Sequence, residues 1–136
     1  MKLDPRRARA VLPRVDPARK RGWPVGLRDG ALLGLLAAGL TAEELAGLQA
    51  SAITMDRGTL RVTVHRHGFA WSVALTADVG GHLIAWISER RLWGTAQQVF
   101  TGPRGSLTPV GVRKVLIRYC TPKPAPARRR RRRRTP

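Results

Sequence analysis

Histidine and carboxylate side chains are the first candidates for chemistry in this sequence, and their spacing limits what they can do. His65 and His67 stand two residues apart, which can serve a metal ion, but no cysteine or carboxylate lies near enough to complete a tetrahedral set. Glu43 and Glu44 are adjacent, and neighbouring residues on a helix point in different directions, so they are not an acid–base pair. We therefore predict no metal site and no cofactor.

Tyr119 is the only tyrosine and is the one candidate for a phenolic nucleophile. It shares the spacing of one helical face with Val112, Val115 and Leu116, so the pattern favours packing in the core over catalysis. The single cysteine, Cys120, excludes an internal disulfide.

Basic side chains dominate the composition and point to a phosphate-bearing partner. The chain has 136 residues and a formal charge of +18. Fourteen of these charges lie in two segments, +6 in residues 1–22 and +8 in residues 121–136. Each phosphate that such segments neutralise releases condensed counterions, which favours binding to a polyanion. DNA, RNA and an anionic membrane surface all satisfy this chemistry.

Three regions follow from the composition. Residues 1–22 combine eight basic side chains with three prolines and are predicted to be a disordered arm with at most a helical turn near Arg6–Leu12. Residues 121–136 are predicted to be a disordered tail rich in proline and arginine, and residues 23–120 form the core. The longest apolar run, about ten residues from Ala31, is too short to span a membrane. We expect a cytoplasmic protein.

Helical and alternating patterns define the elements of the core. A first helix is predicted from Leu27 to Gly39, and Thr41 with Glu44 predicts a capping box that starts a second helix reaching about Gln49. Residues 59–65 and 69–75 alternate strictly and predict a hairpin. A third helix is predicted over residues 78–91, a short strand over 98–100, and a last helix capped by Thr108 with Pro109 at its first position.

The four tryptophans and His82 are assigned from the same pattern. Trp71 and Trp86 fall at core positions, whereas Trp23 and Trp93 are predicted to be exposed. His82 is predicted to be a surface or packing residue. The fold class is therefore mainly α-helical with a small antiparallel β-sheet, that is, α+β.

The run Gly39-Leu40-Thr41-Ala42-Glu43-Glu44-Leu45, preceded by a leucine-rich helix, resembles the opening motif of the tyrosine recombinase (phage integrase) catalytic domain. That motif reads Gly-Leu-Arg-x-x-Glu-Leu. The resemblance continues through the hairpin, the helix ending in Ser88-Glu89-Arg90-Arg91 and the segment from Val99 to Thr108. It covers about residues 23–120 and implies the N-terminal half of that domain.

The resemblance also implies that catalytic groups are missing. Thr41 stands where the family has its first phosphate-binding arginine, and Arg66 stands where it has the lysine that protonates the leaving oxygen. Arginine does not release its proton at ordinary pH. The family's His-x-x-Arg helix and tyrosine nucleophile have no counterpart. We therefore predict a degenerate or truncated recombinase-like protein that binds duplex DNA and does not cleave it alone.

The predicted DNA contacts are basic side chains that can reach phosphates. They are Arg66, Arg104, Arg113, Lys114, Arg118, Arg128, Arg129, Arg130, Arg131, Arg132, Arg133 and Arg134. Two alternatives remain open: a small basic RNA-binding or ribosome-associated protein, and a non-functional gene remnant. Because the family packs further helices on this half, we expect some of Leu32, Leu36, Val115, Leu116 and Tyr119 to be left partly uncovered unless the core rearranges. Self-association or a partner protein would cover such a surface.

Overall fold

A computed structural model describes residues 4–20, 23–102 and 104–120, which form five α-helices and two antiparallel sheets. The helices are α1 (Pro5–Val11), α2 (Val25–Ala37), α3 (Ala42–Ala46), α4 (Ala77–Arg90) and α5 (Pro109–Cys120). The strands are β1 (Ile53–Asp56), β2 (Thr59–Arg66), β3 (Phe69–Ala74), β4 (Thr101–Gly102) and β5 (Gly105–Ser106). The α+β class predicted from the sequence is confirmed.

Helix α1 lies where the sequence predicted a helical turn near Arg6–Leu12, but it is packed on the core instead of belonging to a disordered arm. Asp4 caps it by accepting a hydrogen bond from the backbone N–H of Arg6, and Pro5 occupies its first position. Ala8, Val11 and Leu12 are buried, and the helix packs on α2 and α5. Residues 5–14 therefore belong to the core, because their apolar side chains recur at helical spacing between the arginines.

Helices α2 and α4 pack closely and antiparallel at the centre of the core. Gly30 faces His82 and Gly34 faces Val79, so each glycine lies where a side chain would meet the neighbouring helix. His82 is thus a half-buried packing residue, one of the two roles expected for it. The larger α2 side chains, including Leu32, Leu33 and Leu35, are fully buried on the remaining faces.

The three-stranded sheet has the order β1-β2-β3, and the predicted hairpin is its β2–β3 part. Strand β1 was not predicted. Trp71 pairs with Val64 on the apolar face, but 55% of its surface is exposed, so its assignment to the core is wrong. The reason is that β3 is an edge strand, and no described element covers its Phe69–Trp71 end.

The other tryptophans divide differently from the prediction. Trp86 is buried and donates a hydrogen bond from Nε1 to the Val99 carbonyl, 2.7 Å away, as its core position requires. Trp93 is exposed as predicted. Trp23 is half-buried instead of exposed, because the Arg90 guanidinium lies 4.2 Å from the centre of its ring.

Two further boundaries depart from the sequence prediction. Helix α3 ends at Ala46, before the expected Gln49, and Gln98 forms only an isolated bridge with Gln49 in place of a strand over 98–100. Helix α5 begins as expected, since the Thr108 hydroxyl accepts from the N–H of Gly111.

The expectation of a partly uncovered core is met at one of the five residues. Leu32, Leu36, Val115 and Leu116 are all buried, and only Tyr119 is partly exposed. Helix α1 contacts both helices that carry these residues, so it covers apolar side chains that were expected to be left open. Among the described residues, no helix is both long and apolar enough to cross a membrane.

Candidate functional site

A capping box starts α3 at Thr41, the position to which the sequence resemblance assigns a phosphate-binding arginine. Thr41 Oγ1 accepts from the N–H of Glu44 at 3.1 Å, and Glu44 Oε1 accepts from the N–H of Thr41 at 2.9 Å. The box is confirmed as predicted. Both side chains thereby satisfy backbone groups that would otherwise lack partners at the helix start.

Arg66 binds the same carboxylate from the end of strand β2. Its Nε lies 2.7 Å from Glu44 Oε2 and its Nη2 lies 2.9 Å from Glu44 Oε1, a bidentate pair. Nη2 also donates to the Gly39 carbonyl at 3.1 Å. A guanidinium held this way is geometrically well matched to its carboxylate. The predicted DNA contact at Arg66 is therefore engaged within the protein.

The Arg66 guanidinium lowers the pKa of the Glu44 carboxyl below its ordinary value of 4.5, and the Thr41 N–H acts in the same direction. A carboxylate with a lowered pKa stabilises the fold above its unfolded pKa, and this contribution is lost as the pH falls through the folded value.

We expect the free energy of unfolding of the wild-type chain to fall more steeply below about pH 4.5 than that of Glu44→Gln, which has no carboxylate to protonate there. Urea unfolding of both chains across a pH series measures this difference. Parallel curves for the two proteins would contradict the role given to the ion pair.

A second ion pair joins α5 to α3. Arg113 Nη2 lies 2.5 Å from Glu43 Oε2. A backbone hydrogen bond, followed by this contact with Arg113, lowers the pKa of the Glu43 carboxyl. Arg104, Lys114 and Arg118 are exposed, and they are the predicted contacts that stay available to solvent. The tail predictions, Arg128 to Arg134, lie outside the described residues.

An open groove of about 670 Å³ lies beside these ion pairs, between α3 and the half of β2 that β1 does not reach. Its lining includes Glu43, Glu44, Gln49, Thr63 and His65. His67 is in the adjoining turn with a positive φ. In residues 4–20, 23–102 and 104–120, no three histidine, cysteine or carboxylate side chains are close enough to hold a metal ion.

Tyr119 lies at the other end of α2, in a buried cluster. Its hydroxyl donates to Asp29 Oδ2 at 2.8 Å, and Asp29 Oδ1 accepts from Nε and Nη2 of Arg28 at 3.1 and 3.0 Å. Burial, followed by the charge of Asp29, raises the pKa of Tyr119 to about 12. The phenol therefore stays protonated, as the assignment to the core requires.

This cluster was not predicted from the sequence. Arg28 and Asp29 are adjacent in the first turns of a helix, where charged residues are commonly solvated, yet they are only 7% and 1% exposed. The available signal was the apolar spacing of α2, which continues through both positions.

Comparisons with known proteins agree with this fold. No protein-family model and no curated protein matches the sequence. The crystal structure of XerA recombinase aligns with 92% of this chain at a TM-score of 0.62 and 15% identity. XerH site-specific recombinase, bound to its difH substrate in a pre-cleavage complex, aligns with 91% at a TM-score of 0.60 and 18% identity.

The chain spans 44% and 39% of the lengths of those two proteins. The predicted resemblance to part of a recombinase is therefore confirmed at the level of the fold. Similarity at identities this low supports a shared architecture and does not establish a shared activity.

Proposed function

We propose that this chain is a recombinase-like protein that binds duplex DNA and does not cleave it. The observation that carries this proposal is the network of Thr41, Glu44 and Arg66. The resemblance implies a phosphate-binding group at position 41 and a proton-donating group at position 66. In this chain, Thr41 and Arg66 are both bound to Glu44. A phosphate reaching this place would have to break a bidentate ion pair before it gained a contact.

Cleavage by covalent catalysis needs an activated nucleophile near groups that stabilise the developing charge. Tyr119 fails the first requirement, because its phenol is bound to Asp29 and its pKa is raised to about 12. It also lies far from the Thr41–Arg66 position to which the resemblance assigns phosphate binding, since Asp29 is in the first turns of α2 whereas Thr41 follows the end of that helix.

DNA binding is supported by charge and by analogy. The chain carries a net +18, and the similar XerH protein is described bound to a DNA substrate. Electrostatic contact with phosphates needs no base readout, so we propose binding that depends weakly on sequence and strongly on salt. A DNA-binding protein of this type would act in the cytoplasm, where the bacterial nucleoid lies.

The test is a covalent-trapping assay with nicked duplexes that prevent religation. We expect no protein–DNA adduct on denaturing gels for the wild-type chain or for Thr41→Arg, because one restored arginine supplies neither nucleophile nor proton donor. Tyr119→Phe is the matched control and should behave identically. An adduct formed by the wild-type chain and lost in Tyr119→Phe would overturn the proposal.

A further inference from the structure

The N-terminal end of α2 gathers basic side chains from several elements. Because α2 and α4 are antiparallel, the C-terminal end of α4, with Arg90 and Arg91, lies beside Trp23 at the N-terminal end of α2. The Tyr119 hydroxyl on Asp29 brings the last turn of α5, with Arg118, to the same place.

Two more segments reach this end of the molecule. Arg14 Nη1 donates to the Tyr119 carbonyl at 2.9 Å, and the N–H of Gly26 donates to the Arg19 carbonyl at 3.0 Å. Lys20 follows directly and is exposed. We call this surface the basic end; it consists of Arg14, Arg19, Lys20, Arg90, Arg91 and Arg118.

The cations of the basic end are free of carboxylate partners among the described residues, where every ion pair within 4.0 Å involves other residues. Only two exposed carboxylates, Asp16 and Glu89, share this end. At the opposite end of α2, by contrast, Glu43 and Glu44 neutralise Arg113 and Arg66. The two ends are about 20 Å apart, given 1.5 Å of rise per helical residue.

We infer that the basic end is the principal phosphate-binding surface of the folded part of this chain, in place of the groove between α3 and β2 at the other end of α2. This inference rests on the proposed DNA binding. Its physical basis is that unpaired cations release counterions on meeting phosphates, whereas paired cations must first give up their carboxylates. The sequence after Cys120 adds eight basic residues, starting from this same end.

The experiment compares two triple variants of the full chain by anisotropy with a labelled random-sequence DNA duplex across a salt series. Lys20→Gln/Arg91→Gln/Arg118→Gln removes three exposed charges from the basic end. Arg6→Gln/Arg7→Gln/Arg57→Gln removes three exposed charges elsewhere, and each set contains one arginine with positive φ. We expect the first set to lower the slope of log K against log salt by about 2 to 3 and the second to leave it unchanged.

Two outcomes distinguish a failure of the proposed DNA binding from a failure of the assignment to the basic end. If the wild-type chain does not bind the duplex even at low salt, the proposed function is wrong. If it binds but the second set lowers the slope as much as the first, the assignment to the basic end is wrong. Lys20→Arg/Arg91→Lys/Arg118→Lys keeps all three charges and should retain the wild-type slope, which guards against an effect of folding.

Discussion

Replacing Asp29 with leucine should destabilise the fold by about 3–5 kcal/mol, because it leaves the buried Arg28 guanidinium without its counter-charge. Both side chains are almost completely buried, and Asp29 is the only carboxylate bound to Arg28 in the described residues. The substitution also removes the acceptor of the Tyr119 hydroxyl. Urea unfolding followed by circular dichroism measures the loss.

Two further variants distinguish an uncompensated charge from a simple packing defect. Tyr119→Phe removes one hydrogen bond to Asp29 and should cost only about 1.5–3 kcal/mol. Arg28→Met/Asp29→Leu removes both charges and should recover most of the loss, since apolar residues of similar volume often replace buried ion pairs without penalty. A double variant as unstable as Asp29→Leu would contradict this explanation.

Local signals allowed the sequence to predict part of this structure. The Thr41–Glu44 capping box and the β2–β3 hairpin depend on residues close together in the chain, so their types and spacing were sufficient. The ion pair of Arg66 with Glu44 joins residues 22 positions apart. No local pattern specifies that contact, and the prediction that Arg66 is a free DNA contact missed it for this reason.

Composition alone is a misleading guide to the structure of the N-terminal residues. Eight basic residues and three prolines suggested disorder, but Pro5 starts helix α1 and the apolar residues Ala8, Val11 and Leu12 lie on one face of residues 5–12. The same oversight produced the prediction of an exposed core, because α1 packs on α2 and α5. One amphipathic helix, expected as no more than a turn, thus accounts for both departures from expectation.

The candidate site was also predicted only in part. The sequence placed Thr41 and Arg66 at family positions and so predicted the loss of catalytic groups, an inference from residue types alone. Which cations remain open to phosphate depends on carboxylates that approach from other elements. Arg66 is paired with Glu44, and Arg113 with Glu43. The number of basic residues in the sequence is therefore larger than the number of cations that this end of the molecule has free for DNA phosphates.

Gly26→Ala should destabilise the chain by about 1–3 kcal/mol, although alanine is ordinarily the better helix former. A Cβ on Gly26 would lie 2.0 Å from the carbonyl oxygen of Asp16, a backbone atom that cannot turn aside. The loop must therefore shift and weaken the bond from the Gly26 N–H to Arg19. Because this loop carries Lys20, the same variant should also weaken binding to duplex DNA if the basic end is the phosphate-binding surface.

Gly81→Ala is the matched control, since Gly81 lies within α4 and a Cβ there would meet no atom within 4 Å. It should stabilise the chain by about 0.5–1 kcal/mol through helix propensity and leave DNA affinity unchanged. Thermal melting of both variants gives opposite signs if the approach of the loop to α2 is as close as described. Equal stabilisation by the two substitutions would show that the loop does not pack against Gly26. In that case Arg19 and Lys20 would not be placed at the basic end.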